Sequence, residues 1–558
     1  MLDTAKSGAA PGSKSVTKKL DAFVVGAGVG GLYQLYQLRK LGLKVEACDA
    51  ASDVGGTWYW NRYPGAKFDS DSIVYQYLFD ESLYKDWTWS ERFPSQPEIE
   101  RWMHYITDRL DLRKDITFNA AVTKASYQED AARWIIETSD GEVIDAKYLV
   151  CCTGMLSAPL ENRFKGQDTF QGDIFHTARY PKDGMNFLGK RVGVIGTGAT
   201  GIQVIQTIAP EVDALKVFVR TPQYTLPMTN PKYGPKDVEA YKQKFAETTE
   251  VAQKSFSGFE YDFQYVWAEH TAEERAVIFE QAYQHGSLFL WLGCFAEMFF
   301  DEEISAEVSA FVRKKMEDRL SGRQDLIDAL VPQQSDYGFG THRVPLETQY
   351  LETYLRKNVE AVSVRENAIA EIVPEGVKLA DGTVHEVDVI IMATGFDAGT
   401  GALSRIDIRG RDNMQLGDEW AKEIRTTLGM QKYGFPNLFM TGAPLAPSAA
   451  LCNMTTCLQQ QTEWISDCIG HLEETGQTIE PTLDGEAHWV NHHDELAGAT
   501  LLSKTNSWYN GANVEGKATG RVLSYCGGVG GYRAQCEEIA QSGYTLFKLS
   551  KAPEIATN

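Results

Sequence analysis

Asp21-Ala22-Phe23-Val24-Val25-Gly26-Ala27-Gly28-Val29-Gly30-Gly31 is the stretch that decides the fold. Its first five residues read as a short buried strand, and the glycines follow without a spacer. Leu32, Leu35, Leu38 and Leu41 then recur at helical spacing up to a stop at Gly42. Leu43 to Cys48 reads as a second strand, with Asp49 at its end. Strand, glycine turn, helix and strand in that order make a dinucleotide-binding unit. Gly26 permits the tight turn, Gly28 lets the backbone approach a pyrophosphate, and Gly31 lets the helix pack close to the strand. The helix N-terminus offers free N–H groups to phosphates. Asp49 lies where an acid accepts hydrogen bonds from a ribose 2′-OH.

The pattern recurs at Arg191-Val192-Gly193-Val194-Ile195, followed by Gly196-Thr197-Gly198-Ala199-Thr200-Gly201. Ile202, Ile205 and Ile208 mark the next helix, and Leu215 to Val219 the next strand. This second strand ends in Arg220-Thr221 rather than in an acid. An acid there repels a 2′-phosphate, whereas a guanidinium pairs with it bidentately. The first unit is therefore expected to take FAD or NAD and the second NADP, which implies electron flow from NADPH to FAD. Disulfide reductases, heteroatom-oxidising flavin monooxygenases, N-hydroxylases and Baeyer–Villiger enzymes all share that path. Cys452 and Cys457 have the CxxxxC spacing of a disulfide reductase, but they lie far down the chain from the first unit.

The 558 residues suffice for several structural units, and 43% hydrophobic against 23% charged content supports a sizeable core. A net charge of −22 argues against nucleic acid or an anionic membrane as partner. Any anionic cofactor must then be met by local positive groups. The nine cysteines are odd in number and show no CxxC, so they are expected to be reduced thiols in a cytoplasmic protein, with no metal site. Met1 to Lys19 lacks an apolar run and reads as a flexible tail, residues 1–19. The most apolar run, Gly286 to Phe300, carries Glu297 and is shorter than the roughly 20 residues a bilayer needs.

Between the two glycine turns lies Phe170-Gln171-Gly172-Asp173-Ile174-Phe175-His176-Thr177-Ala178-Arg179-Tyr180-Pro181. It resembles the Baeyer–Villiger monooxygenase fingerprint FxGxxxHxxxW, with Tyr180 where Trp is usual. A second family motif is complete from Gly55-Gly56-Thr57-Trp58-Tyr59-Trp60 through Asn61-Arg62-Tyr63-Pro64-Gly65-Ala66-Lys67-Phe68-Asp69. A third is Tyr337-Gly338-Phe339-Gly340-Thr341-His342-Arg343, where the family usually reads Gly-Thr-Lys-Arg. Val389 to Met392 with Ala393-Thr394-Gly395 resembles the strand and turn that return the chain to the first domain, and Cys152-Thr153-Gly154 its first exit. Ser507-Trp508-Tyr509-Asn510-Gly511-Ala512-Asn513 resembles the loop over the nicotinamide nucleotide. The resemblance covers about Leu20 to Thr545.

That resemblance implies oxidation of a ketone to an ester or lactone with FAD, NADPH and O₂ through a peroxide at flavin C(4a). Arg343 would be the catalytic cation and Asp69 its orienting partner. It further implies FAD contacts at Gly26, Gly28, Gly31, Asp49, Thr57, Trp58, Trp60, Asp69, Tyr75, Val122 and Met454. NADP contacts would come from Gly196 through Gly201, Gln203, Arg220, Thr221, His342, Arg343 and Trp508. A neutral imidazole grips a phosphate less well than the usual lysine. NADPH preference is thus expected to be reduced, or to strengthen as pH falls from 8.5 to 6. His176 is expected to serve structure or a hinge. Leu445, Leu451 and Met454, with the helical insert, are expected to shape an apolar substrate pocket. A heteroatom-oxidising monooxygenase is the alternative.

The implied fold class is α/β, with two Rossmann-like domains and a helical insert. The FAD domain would span Leu20 to Thr153 and Asp388 to Lys548. The NADP domain would span Gly154 to Asn230 and Val331 to Val387, interrupted by a helical insert from Pro231 to Leu330. The substrate is read as a small-molecule ketone, and the protein as a monomer or weak homo-oligomer.

Overall fold

The computed structural model describes residues 15–161, 163–518 and 520–553. Two open sheets organise them. In the first, strand Lys18–Val25 pairs in parallel with Val45–Asp49 on one side and with Val143–Cys151 on the other. Ile116–Phe118 extends the parallel part beyond Val45–Asp49, and Leu438–Met440 joins it at Val143–Cys151. Strands Val122–Gln128 and Arg133–Thr138 continue it as an antiparallel meander, which Asp407–Arg409 borders. Helix Val29–Lys40 leaves the first glycine turn and covers one face.

The second sheet has five strands, all parallel, in the order 359–363, 214–219, 191–195, 389–392, 173–176. Helix Ala199–Ile208 opens at its glycine turn. Val192, Val194, Leu215, Val217, Ile390 and Ile391 are buried, as expected of a parallel sheet covered on both faces. Across segment 231–330 the chain forms helices Pro235–Gln243, Phe245–Lys254, Ala272–Gln284, Glu302–Arg319 and Gln324–Leu330. Asp301 caps the fourth of these by accepting from Glu303 N–H and Ile304 N–H. The apolar run 286–300 is core: Leu288, Leu290, Trp291 and Leu292 are buried. Among the described residues no helix is long and apolar enough to cross a membrane.

Two expectations need correction. Val389–Met392 does not return the chain to the first sheet. It pairs with Arg191–Ile195 and Asp173–His176, so the Asp388 boundary falls inside the second sheet. Its four apolar residues are buried, which a place between two parallel partners provides. Next, Lys18 and Lys19 belong to the first strand, opposite Ile144 and Asp145, so the tail read as 1–19 ends earlier; residues 1–14 lie outside the described residues. Cys452 and Cys457 lie against each other at the start of helix Met454–Thr475, their Cα atoms 7.3 Å apart, beyond the usual span of a disulfide. Cys452 lies in the loop entering that helix, where its thiol donates to the Ser448 carbonyl at 3.1 Å, and Cys457 lies in the first turn. The other seven cysteines are free and buried.

Candidate functional site

Both glycine turns open onto one cleft of about 1240 Å³. Gly26 (φ 109°) and Gly196 (φ 108°) occupy the same position in the two turns. A side chain at either would strike a carbonyl of the neighbouring strand exit, Cys152 or Ala393. The first turn is braced by Asp49, whose Oδ2 accepts from Ala27 N–H at 2.7 Å and whose Oδ1 accepts from Ala51 N–H at 2.7 Å. Burial raises the Asp49 carboxyl above its usual range, and these two bonds pull it partly back. Asp49 thus holds the turn itself, besides facing the cleft.

The walls bring together most of the residues singled out in the sequence. From the first unit come Gly28, Thr57, Trp58, Trp60, Asp69, Tyr75 and Val122, with Met454 from the start of the long helix. From the second come Thr197, Gly198, Ala199, Thr200, Arg220 and Thr221, with His342, Arg343 and Trp508. Trp58 Nε1 donates to Tyr75 OH at 2.9 Å, and Phe68 stacks on Tyr75 at 4.5 Å, so this part of the wall is rigid. Gly31 and Gly201 do not line the cleft. Each sits where a Cβ would fall on the carbonyl oxygen of the turn's first glycine, which is the close helix–strand contact expected.

Gln203 does not line the cleft either, correcting its reading as a nucleotide contact. Tyr63 OH donates to Gln203 Oε1 at 2.9 Å, and Gln203 Nε2 donates to the Lys67 carbonyl at 2.8 Å. It bolts the second unit's helix to the loop that carries Asp69. A short helix packing directly on that loop explains the difference, because the side chain points at the loop rather than at the turn.

At the centre, Arg343 Nη2 donates to Asp69 Oδ1 at 2.5 Å and Nη1 donates to the Ala449 carbonyl at 3.0 Å. Tyr509 OH donates to the next carbonyl, Ala450, at 2.7 Å. Trp291 supports the guanidinium from below, 5.4 Å from ring centre to Cζ. Its Nε1 donates to the Gly340 carbonyl at 3.1 Å, which fixes the loop leading to Arg343. Burial pulls the Arg343 pKa down, but the Asp69 charge and hydrogen bond more than reverse it, so the cation persists. Sequence reasoning missed Trp291, because a tryptophan inside an apolar run carries no local sign of the cation it supports.

His342 stacks on Tyr337, ring centres 3.9 Å apart and planes at 11°. Burial lowers its pKa to about 4. A pKa that low favours the expected reduced NADPH preference over a preference that strengthens as pH falls from 8.5 to 6. His176 Nδ1 accepts from Ala178 N–H at 3.1 Å at the end of its strand, which is structural work. Leu445 and Leu451 are buried in the core and do not line the cleft, and no residue of 231–330 does so.

The cleft fits two dinucleotides. Its volume exceeds the roughly 300–1,000 Å³ of a single-ligand pocket. Thr394 Oγ1 and Asn513 Oδ1 are buried on residues of its wall with no protein partner, as donors and acceptors awaiting a polar ligand would be. Among the described residues no cluster suited to a metal ion exists.

Comparison with known proteins gives the same answer. The flavin-binding monooxygenase-like family (FMO-like) matches residues 17–238. The chain is 62% identical over 535 residues to an acetone monooxygenase (methyl acetate-forming) of Gordonia sp. (strain TY-5), covering 96% of this chain and 100% of that protein. It is 38% identical to a Baeyer–Villiger monooxygenase of Pseudooceanicola batsensis, with 97% and 98% covered. The crystal structure of OTEMO in complex with FAD and NADP superposes with a TM-score of 0.91 at 39% identity, over 96% of this chain and 100% of that one. With two glycine turns on one cleft and Arg343 held by Asp69 between them, the chain belongs to the Baeyer–Villiger monooxygenases, which use FAD, NADPH and O₂ to oxidise ketones.

Proposed function

We propose that the enzyme converts a small ketone to its ester, with Arg343 as the catalytic cation and Asp69 as its orienting partner. The observation that carries this reading is the 2.5 Å bond between them inside the cleft. FAD reduced by NADPH supplies the activated oxygen when bound. Thr57, Trp58, Tyr75, Val122 and Met454 would hold FAD beyond the first turn, with Asp49 at the ribose. Arg220 and Thr221 would hold the 2′-phosphate of NADP on the second turn, and Trp508 would cover the nicotinamide end. Arg343 supplies a fixed positive charge where negative charge develops on oxygen as the carbonyl is attacked. A guanidinium suits this because it does not deprotonate and presents a planar fork. Asp69 and the Ala449 carbonyl fix two of its nitrogens, so little reorganisation accompanies the step.

The preference for a small ketone is supported by the acetone monooxygenase relative. We also propose that the first domain resumes after the second sheet's strand 389–392, with 231–330 as an insert in the second domain. A cytoplasmic place and a monomeric or weakly associated state fit the buried free thiols and the negative charge.

The test is incubation of the purified protein with NADPH, ¹⁸O₂ and a panel from acetone to cyclic and steroidal ketones. Esters carrying one ¹⁸O, formed fastest from the smallest ketones, are expected. NADPH oxidation that oxidises added amines or sulfides and leaves every ketone intact would sink the proposal.

A further inference from the structure

Arg179 and Arg405 both line the cleft, and neither has a carboxylate within 4.0 Å among the described residues. This is unexpected in a chain with 76 acidic and 54 basic residues, where most surface arginines are paired. Arg179 closes the short turn Thr177–Arg179 that follows the edge strand Asp173–His176 of the second sheet. Its guanidinium crosses to the first unit and lies over Trp60, 4.4 Å from the ring centre. One nitrogen, Nη1, donates to the Ala178 carbonyl at 2.8 Å. Arg405 precedes strand Asp407–Arg409, which pairs with Lys124–Ser126 just beyond Val122. Its Nη2 donates to the Pro159 carbonyl at 3.0 Å. The remaining nitrogens of both side chains have no protein acceptor among the described residues.

Pro159, which Arg405 holds, bridges to Phe396, whose ring lies 6.1 Å from that of His176 just ahead of Arg179, so both arginines reach the cleft over the same strand end. Burial and then the Arg405 charge lower the pKa of Arg179, and Glu161 offsets this only in part. Two like charges with no carboxylate in direct contact repel each other. An anion between them removes the repulsion and satisfies the free N–H groups. Arg–phosphate pairs are the strongest arrangement available to such a fork. The setting identifies whose phosphate it is. Trp60, beneath Arg179, ends the short helix that Gly56 opens, and a Cβ on Gly28 of the first turn would lie 3.3 Å from the Gly56 Cα, whereas Arg220 follows a strand towards the opposite edge of the second sheet.

We propose that Arg179 and Arg405 form a phosphate-binding pair that clasps, from across the cleft, the diphosphate of the dinucleotide seated on the first glycine turn. One arginine comes from each side of the domain junction, so the pair ties retention of that nucleotide to the apposition of the two units.

The test uses the holoenzyme and the variants R179Q, R405Q and R179Q/R405Q, with R179K/R405K as the charge-retaining control. FAD release on dilution is followed by flavin fluorescence, and NADP⁺ binding by perturbation of the flavin spectrum. The double glutamine variant should release FAD about tenfold more readily, with NADP⁺ affinity within twofold of the parent, and the lysine variant should recover part of the loss. Weaker NADP⁺ binding with unchanged FAD retention would overturn the assignment to the first turn and move the phosphate to the nicotinamide dinucleotide. If both affinities stay within twofold, the pair binds no phosphate. A measurement on the unaltered protein stands beside these: FAD release should accelerate with added NaCl, and salt-independent release would count against the clasp.

Discussion

Arg343 is fixed at two nitrogens, by Asp69 and by the Ala449 carbonyl, and supported by Trp291. Replacing it with alanine should leave FAD bound and NADPH oxidation running, while ester formation falls by about 10²–10³-fold, the usual effect of losing one preorganised charge. D69N should keep the cation but free its orientation, at about a hundredfold in ester formation. Product analysis beside NADPH consumption separates the two rates, and ester retained in R343A would remove Arg343 from the chemistry. His342 sets a different expectation. With its pKa near 4, it carries no charge from pH 6 to 8.5, so the NADPH/NADH selectivity ratio should be flat there. A ratio that climbs as pH falls towards 6 would show that bound nucleotide raises this pKa. The same shift bears on stability. His493 is buried and His342 half-buried, and desolvation lowers both to about 4, so the unfolded chain binds more protons than the folded one below pH 6.5. Their stabilising contribution is complete above pH 6.5 and is lost as pH falls towards 4. Urea midpoints measured from pH 7 to 4.5 should fall accordingly.

The two strand–turn–helix elements share their steric logic, and this makes them separable by experiment. A Cβ at Gly31 would overlap the Gly26 carbonyl oxygen, and one at Gly201 the Gly196 carbonyl oxygen. Neither overlap can be relieved by a side-chain rotation, because both atoms are backbone. G31A should therefore yield protein depleted of FAD. G201A should retain the yellow cofactor but lose NADPH reactivity, with the rate of flavin reduction down at least tenfold. Visible spectra and anaerobic reduction by NADPH read the two outcomes. Both helices were legible as sequence because glycine spacing and apolar period agree. The sheet membership of Val389–Met392 was not, since an apolar run of four names a buried strand and not its partner.

At the scale of the molecule, the two units are joined through Gln203, whose Oε1 accepts a hydrogen bond from the Tyr63 hydroxyl and whose Nε2 donates to the Lys67 carbonyl. Thr207 faces Gly65 in the same contact. The loop so held runs directly to Asp69. Q203A removes two partly buried hydrogen bonds and should destabilise by about 1–3 kcal/mol. It should also lower the ester formed per NADPH consumed, because the Asp69 loop is then free to shift against the second unit. NADP⁺ affinity should change less than threefold. A tenfold loss of NADP⁺ affinity with full coupling would instead restore Gln203 as a nucleotide contact.

The sequence by itself determined that two glycine turns follow two strands, that one strand ends in Asp49 and the other in Arg220, and that Asp69 and Arg343 belong to motifs of one family. These are local matters: a turn needs glycine where φ is positive, and a strand end needs the charge its ligand demands. Tertiary structure alone decided the rest. It set Asp69 against Arg343 across 274 positions of chain, put Trp291 beneath the cation, turned Gln203 towards a neighbouring loop and desolvated His342, which lowers its pKa to about 4. Contact across that much chain, and the desolvation that shifts a pKa, depend on how elements pack against one another, which no run of neighbouring residues encodes.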